Sequence, residues 1–205
     1  MKDINIKNYQ LILLDWDGTL VRTRENVIYA MQPISQKFRK LEWFELDKTR
    51  NRNLSLEDNF ENFFHENKDI AYDLYLKTYI SGIKNNVHKI TGADKLLKIL
   101  DALSIKKAIV TSKDRKLWEI EKDIFNISFD FSVCKDECNH NKPLPDPVLT
   151  AIDHFSVSPS SVLMIGDSQH DYIAAKKARV DSIIIGKETY ASFNTLDEVI
   201  KKIFF

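Results

Sequence analysis

Asp15 and Asp17 stand one residue apart, directly after the apolar run Leu11-Ile12-Leu13-Leu14, and Gly18 follows them. Two carboxylates so placed can divide a phosphoryl transfer, one attacking phosphorus and the other moving the proton. Their repulsion calls for a metal cation. Three more segments carry complementary groups. Thr111 and Ser112 end a second apolar run and can donate hydroxyl hydrogens to phosphate oxygens. Lys142 lies in Asn141-Lys142-Pro143-Leu144-Pro145-Asp146-Pro147, where alternate prolines stiffen the chain around an ammonium able to offset phosphoryl charge. Asp167 follows Val162-Leu163-Met164-Ile165-Gly166, with Asp171 four residues on. Magnesium prefers hard oxygen ligands. Asp15, the backbone carbonyl of Asp17 and Asp167 could supply them, while Asp171 orients Asp167, water or Lys142. Each group also has a plain structural reading: a solvated turn, a strand-end threonine, a surface lysine beside prolines, a helix cap at Asp171.

These residues need a scaffold that brings them together. Five short apolar segments read as strands, at 10–14, 107–111, 129–134, 162–165 and 182–185. Helical spacing marks 93–103, 117–125, 147–155, 173–179 and 196–204, with Asp146 placed to cap the helix that opens at Pro147. Alternating strands and helices predict an α/β fold with a doubly wound parallel sheet. In such sheets ligands bind at the carboxyl edge, where every candidate residue falls.

The stretch 23–85 breaks the alternation. It has no clear strand, and its apolar residues recur at helical intervals: Val27, Tyr29, Ile34 and Phe38, then Phe60, Phe63 and Phe64, then Tyr72, Tyr75 and Tyr79. The expected organisation is a core of 1–22 and 86–205 with a small helical domain, 23–85, inserted after the first strand; a helical decoration on the sheet is the alternative. Within the insert, 47–53 is polar and holds Arg50 and Arg52, which could grip an anionic part of a substrate, or simply face water.

Thirty basic and thirty acidic residues in a chain of 205 leave no global field to attract nucleic acid or an anionic membrane. No apolar run is long enough to span a bilayer, and the amino terminus lacks a signal-peptide profile, which points to the cytoplasm. Cys134, Cys138 and His140 offer three zinc ligands where a structural site needs four. The simpler expectation ends a strand at Cys134 and leaves Cys138 in a loop.

DWDGT at 15–19, the strand-end Thr111, KPLPDP at 142–147 and GDSQHD at 166–171, each after a predicted strand and in this order, resemble the haloacid dehalogenase superfamily, in its phosphoglycolate-phosphatase-like branch. That resemblance implies a Rossmann-like core with an inserted helical cap and a magnesium-dependent phosphatase acting on a small phosphorylated metabolite. By the same likeness Asp15 is the nucleophile, Asp17 the acid and base, Thr111, Ser112 and Lys142 the phosphate ligands, and Asp15, Asp17 and Asp167 the metal site. It leaves open a phosphomutase of the β-phosphoglucomutase type, a binding protein without turnover, and whether the chain is a monomer or a weak dimer. Two departures stand out. Trp16 is bulkier than the usual residue between the aspartates and should point into the core or toward the cap. Relatives carry glycine near Arg179, so a different loop is expected there.

Overall fold

The computed structural model describes residues 4–51, 54–186 and 191–204. The chain divides into two compact units, Met1–Arg22 with Lys89–Phe205, and Thr23–His88.

The first unit is built on strands β1 (Leu11–Leu14), β2 (Lys106–Val110), β3 (Phe131–Val133), β4 (Val162–Gly166) and β5 (Asp181–Ile184). They lie in the order β3-β2-β1-β4-β5, and every pairing is parallel. Leu11 and Leu13 share one face with Val110 and Met164, packed by Val148, Ala151 and Ile152 of one helix (Asp146–Phe155) and Ala174 and Ala175 of another (Gln169–Lys177). Ile12 and Leu14 are equally buried. Successive side chains alternate across a sheet, so these must face a second layer, and β1 is covered on both sides. That is why the strand reads as an unbroken apolar run. The chain winds outward from β1 to β3, then returns to build β4 and β5 on the other side of β1. The reversal opens a crevice beyond the carboxyl ends of β1 and β4.

The second unit is helical: α1 (Arg24–Arg39), α2 (Trp43–Asp47), α3 (Phe60–Phe64) and α4 (Lys68–Asn86), with α1 packed along α4. Its centre is aromatic, with Trp43 edge-on to Phe63 at 5.6 Å and Tyr75 tilted on both Phe60 and Tyr79 at 5.4 Å. Tyr29, expected on the packed face, is exposed; Asn26, Ala30 and Ile34 take that face, and the buried Asn26 amide donates to the Tyr79 carbonyl at 2.9 Å. No helix among the described residues is long and apolar enough to cross a membrane.

Two local expectations change. Asp146 is the first helical residue, not the cap before it; Pro145 holds the cap position, and the Asp146 carboxylate meets His140 Nδ1 at 2.9 Å. The loop after Gln169–Lys177 also needs no new geometry. Arg179 itself adopts the left-handed conformation, φ 60°, that glycine would take. Val180 N–H reaches the Ala175 carbonyl and Arg179 N–H the Lys176 carbonyl, which satisfies the helix end at a cost of roughly 1–2 kcal/mol for a residue with a β-carbon.

Candidate active site

At the end of β1 the chain turns back on itself. The Trp16 carbonyl accepts from the amides of Leu20 and Val21 at 3.0 and 3.1 Å, and Gly18 sits at φ +82°. A β-carbon there would be strained and would also lie 2.0 Å from Asp167 Oδ2, so glycine is what lets β1 and β4 deliver their aspartates to one place. Gly166 does the same from the other side: a β-carbon would fall 2.5 Å from Asp171 Cγ.

Lys142 ties this edge together. Its three N–H groups donate to Asp15 Oδ1 at 2.7 Å, Asp171 Oδ1 at 2.6 Å and the Val110 carbonyl, at the end of β2, at 2.8 Å. Asp171, fully buried, gives its other oxygen to Ser168, accepting from Oγ at 2.6 Å and from the amide at 3.0 Å. It therefore completes the capping box of the helix, whose cap is Ser168, and holds the lysine at once. Burial works against the Lys142 ammonium, but Asp15 and Asp171 outweigh it and hold the group protonated above the ordinary lysine range.

Oxygens of Asp15, Asp167 and Asp171 lie within 4.8 Å of one another. Burial first, then the neighbouring carboxylates, push Asp15 up to about 7 and Asp167 up to about 8; Lys142 opposes both shifts. The Asp17 carboxylate points elsewhere, to Lys113 Nζ at 2.8 Å. Thr111 is buried just beyond β2, its hydroxyl oxygen accepting from the Lys113 amide at 3.2 Å, and Ser112 beside it is half-buried. Asp15, Asp17, Thr111, Ser112, Lys142, Asp167 and Asp171 thus gather at one sheet edge. Arg50 is half-buried in the second unit, and Arg52 lies outside the described residues. Cys134 is buried after β3 with its thiol pushed up to about 12 by burial, while Cys138 Sγ lies 3.7 Å from Thr150 Oγ1.

The motif pattern did not point to Lys113 and Glu121. Glu121 is fully buried in the helix Arg115–Phe125, on the face of Leu117 and Trp118, and both its oxygens accept from Lys113 Nζ. A glutamate three residues from a core tryptophan on an amphipathic helix was the available signal.

The family model described as haloacid dehalogenase-like hydrolase matches residues 12–185. The chain belongs to the haloacid dehalogenase-like hydrolase family. Among its relatives is a protein of Clostridium perfringens provisionally named pyrophosphatase PpaX, 29% identical over 82% of this chain and 79% of that one. A phosphoglycolate phosphatase of Nitrosococcus oceani is 26% identical over 88% and 85% of the two chains. The crystal structure of CbbY from Rhodobacter sphaeroides in complex with phosphate superimposes with a TM-score of 0.76, covering 93% of this haloacid dehalogenase-like chain and 96% of that one; at 19% identity that likeness concerns the fold.

Proposed function

We propose that this hydrolase cleaves the phosphate monoester of a small metabolite in two steps through a phosphorylated Asp15. The observation that carries the reading is Asp15 held by the buried Lys142 ammonium at the crevice where the sheet reverses. An Asp15 oxygen attacks phosphorus as the ester bond breaks, and Asp17 gives its proton to the departing alkoxide. Asp17 then takes a proton from the water that cleaves the acyl phosphate, releasing phosphate and restoring Asp15. Thr111, Ser112 and Lys142 bind the phosphoryl oxygens and spread their charge.

The donor set fits magnesium. Asp171 is committed to Lys142 and Ser168, which leaves Asp15 and Asp167 as adjacent hard-oxygen donors whose raised proton affinity marks a site short of positive charge. With the Asp17 carbonyl they would hold the ion, which when bound neutralises the phosphoryl oxygens and lowers the repulsion met by Asp15. The unit Thr23–His88 serves in this reading as the cap that selects the substrate, with Arg50 and Arg52 as candidate anion contacts.

Relatives bear the names pyrophosphatase and phosphoglycolate phosphatase, so the test is a panel holding pyrophosphate, 2-phosphoglycolate, sugar phosphates and an aryl phosphate, read as phosphate released with magnesium and with EDTA. Magnesium-dependent release from a monoester is expected. Isomerised sugar phosphate without release, or no turnover on any member, would overturn the reading.

A further inference from the structure

Trp16, Glu121, Lys113 and Asp17 close a ring of side chains. The Trp16 indole donates to Glu121 Oε2 at 2.6 Å, both Glu121 oxygens accept from Lys113 Nζ at 2.8 and 2.7 Å, and the same ammonium donates to Asp17 Oδ1 at 2.8 Å. Asp17 is joined to Trp16 by the chain itself. Packing alone does not account for this ring. Glu121 is 0% exposed and Lys113 8%, and a buried charge is costly unless it is paired and hydrogen-bonded. An apolar residue at 121 would sit on Leu117 and Trp118 without that cost. Carboxylate oxygens of Glu121 and Asp17 both accept from the one ammonium, so Lys113 joins a buried acid to Asp17. Trp16 is locked in turn by edge contacts to Trp118 and Phe129, centroids 6.1 and 6.2 Å away.

We infer that Lys113 is the positioning residue for Asp17, with Glu121 and Trp16 as its supports. The Asp17 side chain is 37% exposed, so its own packing leaves it rotamers to explore. An ammonium clamped by a buried glutamate removes that freedom and presents Asp17 at one place for both proton transfers. The oversized residue between the two aspartates has its function here: its N–H orients Glu121. This rests on the proposed role of Asp17.

The test separates the half-reactions with an aryl phosphate, whose leaving group needs little protonation. Rapid quench gives the rate of Asp15 phosphorylation and the rate of its hydrolysis. Lys113→Met should leave the first within about threefold and slow the second at least tenfold, so that phosphoenzyme accumulates. Added to Asp17→Asn, it should change hydrolysis by less than about twofold, because it acts through the group already removed. Trp16→Phe keeps the ring packing and loses only the donor, and should slow the same step several-fold; it serves if Lys113→Met does not fold. Equal slowing of both steps, unchanged hydrolysis, or multiplying effects in the double variant would overturn the inference. A parent that forms no phosphoenzyme and releases no phosphate overturns the catalytic reading itself.

Discussion

Asp15 and Asp17 are separated by one residue in the chain and live in different settings. Each has its own lysine, and each lysine is held by a fully buried acid: Lys142 by Asp171, Lys113 by Glu121. The anchors diverge beyond that. Asp171 is fixed by a helix-cap serine, whereas Glu121 is fixed by an indole. Asp15 is 6% exposed beside Asp167, where its charge invites a cation; the Asp17 side chain is 37% exposed and accepts from Lys113. A nucleophile gains from a dry, charge-compensated position, and a proton carrier needs reach to both the leaving group and water. In the proposed mechanism the same lysine–carboxylate device serves both, tuned by burial.

The largest expected effect falls on the Asp15 side. Asp15→Asn should lower turnover by at least about 10⁴-fold and remove phosphoenzyme, since an amide is a poor nucleophile and a poorer cation ligand; steady-state and quench assays read both. Lys142→Met strands Asp15 and Asp171 together in the interior. It should cost about 3–5 kcal/mol of stability by denaturant unfolding and slow phosphoenzyme formation, whereas loss of Lys113 slows its hydrolysis. If the two lysine variants slowed the same half-reaction, the contrast between the carboxylates would collapse.

A smaller effect sharpens the metal side. Folding raises the proton affinity of Asp167 above its value in the unfolded chain, so the folded form retains a proton that the unfolded one releases. Its contribution to stability is therefore lost as pH climbs from about 4, the ordinary carboxylate range, toward 8. In EDTA, Asp167→Asn should unfold at the same temperature as the parent near pH 4 and at a higher one near pH 8; magnesium should reverse the order at pH 8. A variant less stable than the parent in EDTA at pH 8 would count against the shared cation site. The smallest change belongs to the helical unit. Arg50→Ala should weaken capture of a substrate with an anionic tail by about 1.5–3 kcal/mol, with Arg52→Ala as its parallel, and leave a neutral-tail aryl phosphate nearly untouched in a comparison of kcat/KM.

The Asp15 setting was legible in the sequence because its parts fall at strand ends, where an apolar run followed by glycine, a proline-stiffened turn or a carboxylate is a local signal. Each strand of the five-stranded sheet begins and ends within two residues of its expected bounds, most plainly β1 and β4, whose residues are all buried, whereas the two-residue strands Val21–Arg22 and His88–Lys89 gave no signal. The Asp17 setting was not legible. Lys113 reads as one more lysine after a strand, and Glu121 hides in a helix whose polar residues elsewhere face water; their meeting depends on how that helix docks. Arg179 shows the same limit. Residue type predicted a changed loop, but the backbone kept its left-handed turn and bears the strain.

The most direct measurement is mass spectrometry of the Asp17→Asn protein, quenched in acid during turnover of an aryl phosphate with magnesium and then digested. A phosphoryl adduct is expected on Asp15, absent in EDTA and absent from Asp15→Asn. Phosphate release with no adduct on Asp15, or an adduct on any other residue, would contradict it.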